Sequence, residues 1–163
     1  MLFRSDGLIW FIQNCFDSLL KINPALKLKV VGIWTKGTIG SYSSQQIEFA
    51  GFVPNLETVL ENSIMIVPLR IGSGMRMKII ESILYKIPFI TTSIGVEGLN
   101  FKNNEDCFIA DTALEFVEKS LLLMNDKMLQ KSFIENSYNT LLRSYSYDKA
   151  MEKRQNLYDD LLN

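Results

Sequence analysis

Short apolar segments alternate along the chain with amphipathic ones, and this alternation constrains the fold more than any other feature. Five short segments are predicted as strands, from a β-rich run closed by glycine or from continuous apolar character: 27–32, 47–51, 64–69, 88–92 and 107–110. Other segments carry apolar residues at spacings of three and four, which is typical of helices. Continuous apolar strands separated by helices are typical of a parallel sheet covered on both faces. The sequence therefore predicts an α/β fold, a Rossmann-like open parallel sheet with helices on both faces and further helices at the C-terminal end.

Capping residues mark the starts of several predicted helices. The helices are predicted over 6–20, 54–63, 75–86, 112–124, 127–144 and 147–161. The predicted N-terminal caps are Asp6, Asn55, Ser146 and Thr112, the last in a capping box with Glu115. Polar or glycine-containing loops are predicted over 37–45, 70–74 and 93–106. No internal repeat or Pro/Ser-rich linker divides the chain, so residues 1–163 are predicted to form a single domain.

The absence of histidine excludes several kinds of active site. The 163 residues contain no histidine, which removes Ser-His-Asp and Cys-His triads and Cys2His2 zinc sites. Cys15 and Cys107 lie far apart with no CxxC spacing, and each is predicted to be a small core residue in a reducing cytosol. A single bridge between the two is left open at this stage.

Charge and hydropathy limit which partners the chain can bind and where in the cell it is expected. Seventeen basic and eighteen acidic residues give a net charge of −1, so no strongly basic field is present to gather nucleic acid. The apolar runs fall well below the ~20 residues that a transmembrane helix needs. The N-terminus, MLFRSDGL, lacks the apolar segment of a signal peptide. The chain is therefore expected to be cytoplasmic, without a transmembrane segment and without a nucleic-acid partner.

One segment, PLRIGSGMRMKIIES (68–82), combines a strand end, a glycine-flanked loop and a helix start. Gly74 allows the backbone to approach a ligand closely, and the first N–H groups of a helix favour an anion, usually a phosphate. Arg76 and Lys78 add two cations near the helix start. Because cations there oppose the helix dipole, their presence suggests an anionic ligand or a neighbouring carboxylate.

Glu81 lies seven residues beyond Gly74, or roughly 10 Å along a helix axis. A diphosphate at the helix start would leave a ribose or sugar within reach of this carboxylate, which can accept from two hydroxyls. Glu81 could instead pair with Lys78 at i,i+3, and Arg70 and Arg76 could be solvated surface residues. The sequence leaves these alternatives open for each residue taken singly.

Residues 51–99, GFVPNLETVLENSIMIVPLRIGSGMRMKIIESILYKIPFITTSIGVEGL, resemble the donor-binding half of GT-B glycosyltransferases of family 4, or group 1. DGLIWFI and KLKVVG resemble the first helix and second strand of that half. CFIADTALEFVEKSLLLMND and the terminal SYSYDKAMEKRQNLYDDLL resemble its later segments. The resemblance covers nearly the whole chain and implies a C-terminal, donor-binding domain that forms one half of a GT-B fold.

The resemblance implies roles for individual residues. In the E-x7-E signature of the family, Glu81 takes the place of the second glutamate, which binds the ribose. Ser73 stands where the first glutamate would contact the donor sugar, so the sugar contact departs from the family pattern. The remaining donor-binding residues implied are Gly74, Met75, Arg76 and Lys78 at the diphosphate, Val53 beside the base and Gly95 flanking the donor.

The resemblance also implies an activity and its partners. The full enzyme would transfer a hexosyl group from a nucleotide sugar to a glycan or lipid acceptor with retention, and without a metal or other cofactor. The acceptor would bind an N-terminal domain for which this chain has no room. The chain is therefore expected to be a donor half, excised, truncated or separately encoded, that does not turn over alone. The full enzyme could lie peripherally at a membrane.

Three alternatives remain at this stage. The chain could be a non-catalytic nucleotide-binding or partner subunit that docks on a separate acceptor domain. It could be another Rossmann-like nucleotide binder, although no GxGxxG follows a first strand here. It could also be a structural α/β interaction domain in which the loop glycines serve only as turns.

Overall fold

The structure, a computed structural model, describes residues 2–72 and 76–145 together with residues 149, 151 and 155. Its strands are β1 Leu28–Val31, β2 Ile47–Gly51, β3 Met65–Val67, β4 Phe89–Thr91 and β5 Phe108–Ile109. Each lies within one of the five predicted apolar segments. All paired strands are parallel, in one group of order β1-β2 and another of order β3-β4-β5. The Rossmann-like α/β fold predicted from the sequence is confirmed.

The helices lie between and after these strands. They are α1 Leu2–Phe11, α2 Asp17–Ile22, α3 Lys36–Tyr42, α4 Glu57–Leu60, α5 Met77–Leu84, α6 Ser93–Val96, α7 Ala113–Asn125 and α8 Lys127–Tyr145. A π-helical turn over Ile12–Phe16 joins α1 to α2, so the predicted 6–20 helix is longer and carries one irregular turn. Such turns insert an extra residue into the helix and shift the side chains that follow.

Three local predictions are wrong. Asp6 does not cap a helix, because α1 already begins at Leu2. The segment 37–45 is not all loop, because Thr35 caps α3 by accepting from the Thr38 N–H at 3.2 Å. The predicted loop 93–106 begins with α6, which Thr92 caps. Side-chain caps are thus sufficient to start short helices in polar, glycine-containing sequence. The predicted Ser146 cap lies outside the described residues.

The predicted cap at Asn55 is also wrong, because Leu56 is the N-cap residue of α4 and no side chain caps that helix. Asn55 Oδ1 instead accepts from the Glu57 N–H at 3.0 Å in the turn just before α4. One other predicted cap is confirmed. Thr112 and Glu115 form the capping box at the start of α7. In that box the backbone N–H groups of Asp111 and Thr112 bond to the carboxylate and lower the pKa of Glu115.

Helices cover both faces of the β3-β4-β5 group. On one face, Ile66, Ile90 and Phe108 pack into the larger core with α1, the π-helical turn and α7. On the other face, side chains from the alternate strand positions, including Phe89 and Cys107, pack with α5. This alternation follows from the two-residue period of a strand. The carboxyl ends of these parallel strands therefore meet at one edge, called here the carboxyl edge.

No helix among the described residues is long and apolar enough to cross a membrane.

Helix α1 touches the carboxyl end of β3 through Gly7. A Cβ built on this buried glycine would lie 2.1 Å from the Pro68 carbonyl oxygen, so only glycine fits there. We expect Gly7→Ala to lower the free energy of unfolding by about 1–3 kcal/mol, because the clash exceeds the gain in helix propensity. Urea unfolding at equilibrium measures the change.

Gly40→Ala is the matched control. Gly40 also lies inside a helix, α3, but a Cβ there would meet nothing within 4 Å. Alanine at this position should leave stability unchanged or raise it by up to about 1 kcal/mol. Equal effects of the two substitutions would contradict the close contact between α1 and β3.

Both cysteines are fully buried and free, one in each core cluster, so the bridge that the sequence left open is not formed. Burial raises the pKa of the Cys15 thiol to about 11. Burial, helped by the Asp106 charge, raises the pKa of Cys107 to about 12. We expect neither thiol to react with a thiolate-specific reagent at pH 8 in the folded protein, because the thiolate is the reactive form. Both should react after denaturation, and rapid labelling of the native chain would contradict this burial.

Candidate functional site

Hydrogen bonds join the loops at the carboxyl edge of the β3-β4-β5 group. Thr91 Oγ1, at the end of β4, donates to the Val67 carbonyl oxygen at 3.0 Å, and the Thr92 hydroxyl donates to that of Leu69. The Ser93 N–H and hydroxyl both donate to Asp111 Oδ1, at 2.8 and 3.0 Å. The connections that follow β3, β4 and β5 are therefore fixed to one another by side chains.

Arg76 forms a further bridge between two of these connections. Its side chain is 7% exposed, and Nε and Nη2 both donate to the Ile94 carbonyl oxygen in α6, at 3.2 and 2.9 Å. Nη2 also donates to the Gly72 carbonyl oxygen at 3.1 Å and lies 3.8 Å from Glu97 Oε2. The sequence left Arg76 open as a diphosphate ligand or a solvated surface residue. The second alternative is wrong, because the side chain is buried and joins Gly72, in the connection after β3, to α6. The diphosphate contact stays a prediction.

Lys78 and Glu81 lie near the start of α5 and contact each other. Lys78 Nζ donates to Glu81 Oε2 at 2.7 Å, and the two side chains are 61% and 31% exposed. This is the i,i+3 pair that the sequence analysis weighed as an alternative. Glu81 Oε1 accepts no hydrogen bond from the described residues. The pair thus presents a cation and a carboxylate oxygen beside the beginning of the helix.

The predicted ligands Ser73, Gly74 and Met75 lie outside the described residues. Gly72 and Arg76 bound them, and α5 begins immediately afterwards at Met77. The described residues on either side place the end of β3 before this segment and the start of α5 after it.

Gly95 lies buried in α6, where its N–H donates to Thr92 Oγ1 at 3.0 Å. A Cβ on Gly95 would lie 1.9 Å from Thr91 Oγ1, so the absence of a side chain allows α6 to rest on the end of β4. Gly95 thus helps to place the α6 backbone at the carboxyl edge.

Val53 is half-buried in the connection after β2, and its neighbour Phe52 is 77% exposed. Ile33, just beyond β1, is 81% exposed, and Ile71, after β3, is 52% exposed. Three large apolar side chains therefore follow the carboxyl ends of three strands and remain in contact with solvent. An exposed aromatic ring and aliphatic side chains in such places suit a flat apolar ligand or a partner surface.

Arg70 is a charged residue at this edge that the sequence analysis did not select. Its Nη1 lies 3.8 Å from Asp6 Oδ2, and its guanidinium carbon lies 5.6 Å from the centre of the Trp10 ring. The Arg70 side chain is 48% exposed. The contact joins α1 to the connection after β3. No periodicity in the sequence relates Asp6 to residue 70, because they meet only through tertiary packing.

The burial of Arg76, in contrast, had a local signal. Arg76 lies three residues before Ile79 and seven before Ile83, so helical spacing places all three on one side of α5. Ile79 and Ile83 are both buried on that side. The prediction of a ligand or surface role for Arg76 followed from its positive charge and did not use this spacing.

The described part of the carboxyl edge carries the start of α5 and the Lys78–Glu81 pair, a cation and a carboxylate of the kind that an anionic ligand with hydroxyls needs. Among the described residues, no three His, Cys, Asp or Glu side chains lie close enough together to hold a metal ion.

Solved structures with a similar fold are glycosyltransferases. TarM of S. aureus, in complex with fondaparinux, alpha-GlcNAc-glycerol and UDP, matches with a TM-score of 0.75 and 19% identity, over 97% of this chain and 33% of TarM. The C-terminal domain of the group 1 family glycosyltransferase LpcC from Francisella tularensis matches with a TM-score of 0.70 and 18% identity, over 88% of this chain and 82% of that one. HepE of Anabaena, in complex with UDP and glucose, matches with a TM-score of 0.67 and 13% identity, over 93% of this chain and 44% of HepE. These likenesses show the fold, one half of the GT-B architecture.

A curated relative is more similar in sequence. An uncharacterised 44.6 kDa protein in the cps region of Klebsiella pneumoniae is 24% identical over 155 residues, which is 89% of this chain and 40% of the relative. The chain thus spans less than half of that protein. The sequence profile of the family described as glycosyl transferases group 1 matches residues 1–126, more than three quarters of the chain. The chain therefore belongs to the group 1 glycosyltransferases.

Proposed function

We propose that this chain is the domain that binds the nucleoside diphosphate sugar, the donor, in a group 1 glycosyltransferase. The observation that carries the proposal is the carboxyl edge. There a glycine loop, the start of α5 and the Lys78–Glu81 pair, joined at 2.7 Å, lie together. Membership of the family supports the same reading.

The diphosphate would lie at the start of α5. Backbone N–H groups of Ser73, Gly74 and Met75 and of the first helical turn would donate to its oxygens, as helix N-termini do for phosphates. Lys78, 61% exposed, is close enough to add a positive charge. When the bond between sugar and phosphate breaks, negative charge grows on the departing diphosphate. Donors already oriented toward it lower the barrier to that step.

The nucleoside would extend from the diphosphate toward Glu81 and the connection after β2. Glu81 would accept from the ribose hydroxyls, and the Lys78 ammonium holds its carboxylate in place by a 2.7 Å hydrogen bond. The exposed ring of Phe52, beside Val53, offers an apolar surface for the base. Gly95 keeps the α6 backbone near the donor, and Ser73 leaves the sugar contact without the carboxylate that the family pattern places there.

The whole protein would transfer a hexosyl group from the nucleotide sugar to a glycan or lipid acceptor with retention, and without a metal. The relative in a cps region supports a glycan acceptor in polysaccharide biosynthesis. Residues 1–163 would form one domain, and a second, acceptor-binding domain would supply the other side of the active site. Accordingly, the isolated chain would bind the donor without transferring sugar. The enzyme would work in the cytoplasm.

A second candidate function is a non-catalytic subunit that docks on a separate acceptor domain. The observation in its favour is the exposure of Ile33, Phe52 and Ile71, which follow three strands and are all more than half exposed. A partner surface would cover these side chains, whereas a nucleotide base would cover only part of them.

Binding of nucleotides tests the proposal directly. We expect the chain to bind one nucleoside diphosphate, with UDP the first to try because two similar structures contain it. The corresponding monophosphate should bind at least about tenfold more weakly, since each charge-assisted hydrogen bond contributes about 1.5–3 kcal/mol. Calorimetry with UDP, GDP, ADP and their monophosphates measures this. Failure of every diphosphate to bind would refute the proposal.

Glu81→Ala tests the ribose contact. We expect it to weaken binding of the diphosphate about tenfold or more by calorimetry, because two hydroxyls lose a charged acceptor. Thermal unfolding should change little, since exposed ion pairs contribute less than about 1 kcal/mol.

Glu105→Ala is the matched control. Glu105 forms an equivalent i,i+3 pair with Lys102 at 3.1 Å, but it precedes β5 and so lies toward the opposite edge of the sheet. This variant should bind the nucleotide as the unmodified chain does. Unchanged affinity in Glu81→Ala would remove that residue from the site.

A further inference from the structure

We infer that Arg70, and not Arg76, is the arginine that contacts the phosphates of the ligand, and that Arg76 is a positioning residue. The inference rests on the proposed function, because it presumes a diphosphate at the carboxyl edge. Phosphate contact is assigned to Arg70, and positioning of the loops is assigned to Arg76, six residues later in the same connection. The sequence does not distinguish them, since both flank the same glycine loop.

The hydrogen-bonding capacity of Arg76 is largely used within the protein. A guanidinium has five N–H donors, and those on Nε and Nη2 make three hydrogen bonds to the carbonyl oxygens of Ile94 and Gly72, at 2.9 to 3.2 Å. Only 7% of the side chain is exposed. To contact a phosphate through this fork, Arg76 would have to give up its hydrogen bonds to these two carbonyl oxygens. It therefore acts on the ligand through the loops that it joins.

Arg70 differs from Arg76 in both exposure and bonding. Its side chain is 48% exposed, and its guanidinium donates no hydrogen bond to the described residues. Its contacts are the Asp6 carboxylate at 3.8 Å and the face of Trp10 at 5.6 Å. Neither contact is a hydrogen bond. The N–H groups of Arg70 therefore have no acceptor among the described residues, whereas three hydrogen bonds engage those of Arg76. An exposed guanidinium with unused donors can offer its positive charge and an N–H group to a phosphate.

Asp6 and Trp10 orient Arg70 from α1. Asp6 Oδ2 is buried without a hydrogen-bond partner among the described residues, and it lies 3.8 Å from Arg70 Nη1. The ring of Trp10 attracts the guanidinium through its π-electrons. Helix α1 is itself fixed against this connection, because Gly7 touches Pro68. Arg70 is thus held in position before a ligand arrives, which lowers the entropy cost of binding.

The two roles predict opposite responses to lysine. Arg70→Gln should weaken UDP binding about tenfold, and Arg70→Lys should recover most of it, because a phosphate contact needs mainly the positive charge. The Arg70→Gln loss should shrink in 0.5 M salt, since salt screens exposed charges. Arg76→Lys should bind more weakly and unfold at a lower temperature, because an ammonium cannot reproduce the fork that joins Ile94 to Gly72. Its loss should persist in high salt.

The experiment is calorimetry of UDP and UMP binding in low and high salt, with thermal unfolding of each variant. Lys102→Gln is the control, since Lys102 is a 70% exposed lysine that precedes β5. The expected result is that Arg70→Gln loses the preference for UDP over UMP at an unchanged melting temperature, while Lys102→Gln retains both.

Each other outcome overturns one of the two proposals. If the unmodified chain binds neither UDP nor another nucleoside diphosphate, the proposed function fails. If it binds but Arg70→Gln keeps its preference for the diphosphate, the inference alone fails. The inference also fails if Arg76→Lys binds and unfolds like the unmodified chain. Inorganic pyrophosphate, used as a competitor, should displace UDP from the unmodified chain more effectively than from Arg70→Gln.

Discussion

The hydrogen bonds between the connections at the carboxyl edge are the constraint on which the site depends. Parallel strands bring their ends together but leave the connections that follow them independent of one another. Here Thr92 ties the end of β4 to Leu69, Ser93 ties α6 to Asp111, and Arg76 ties α6 to Gly72. A ligand at the start of α5 therefore meets loops that are already held in place, which reduces the ordering cost of binding.

Burying the Arg76 guanidinium is costly unless its donors are satisfied, and this requirement explains the shape of the site. Two carbonyl oxygens, from Gly72 and Ile94, accept three hydrogen bonds, and Glu97 lies 3.8 Å away. Removal of the cation would leave those part-buried carbonyl groups without these hydrogen bonds. In the proposal made above, the same residue that joins the loops does not contact the ligand. The charge available to an anion comes from Lys78 and Arg70, which remain exposed.

The five strand segments and their parallel pairing could be predicted from the sequence, because the alternation of apolar segments with amphipathic ones is visible along the chain. The wrong predictions share a different cause. Asp6 would cap a helix only if α1 began next to it, but α1 begins at Leu2. The residue that Asp6 pairs with, Arg70, is 64 residues away in the sequence. Likewise, the polar segment around Lys36–Tyr42 folds as α3 because the Thr35 hydroxyl satisfies its first turn. Glycine content alone had indicated a loop there.

By itself, the sequence determined the α/β class, five strand segments, the capping box of α7 and the position of a glycine-containing segment between β3 and α5. These features arise from side-chain spacing of two or of three to four residues, which any folded state of this chain must satisfy. Only the tertiary structure decided which cation is buried and which is exposed. Burial depends on the atoms that pack from elsewhere, the Ile94 carbonyl against Arg76 and the Asp6 carboxylate against Arg70. Neither partner lies within one helical turn of the arginine that it contacts.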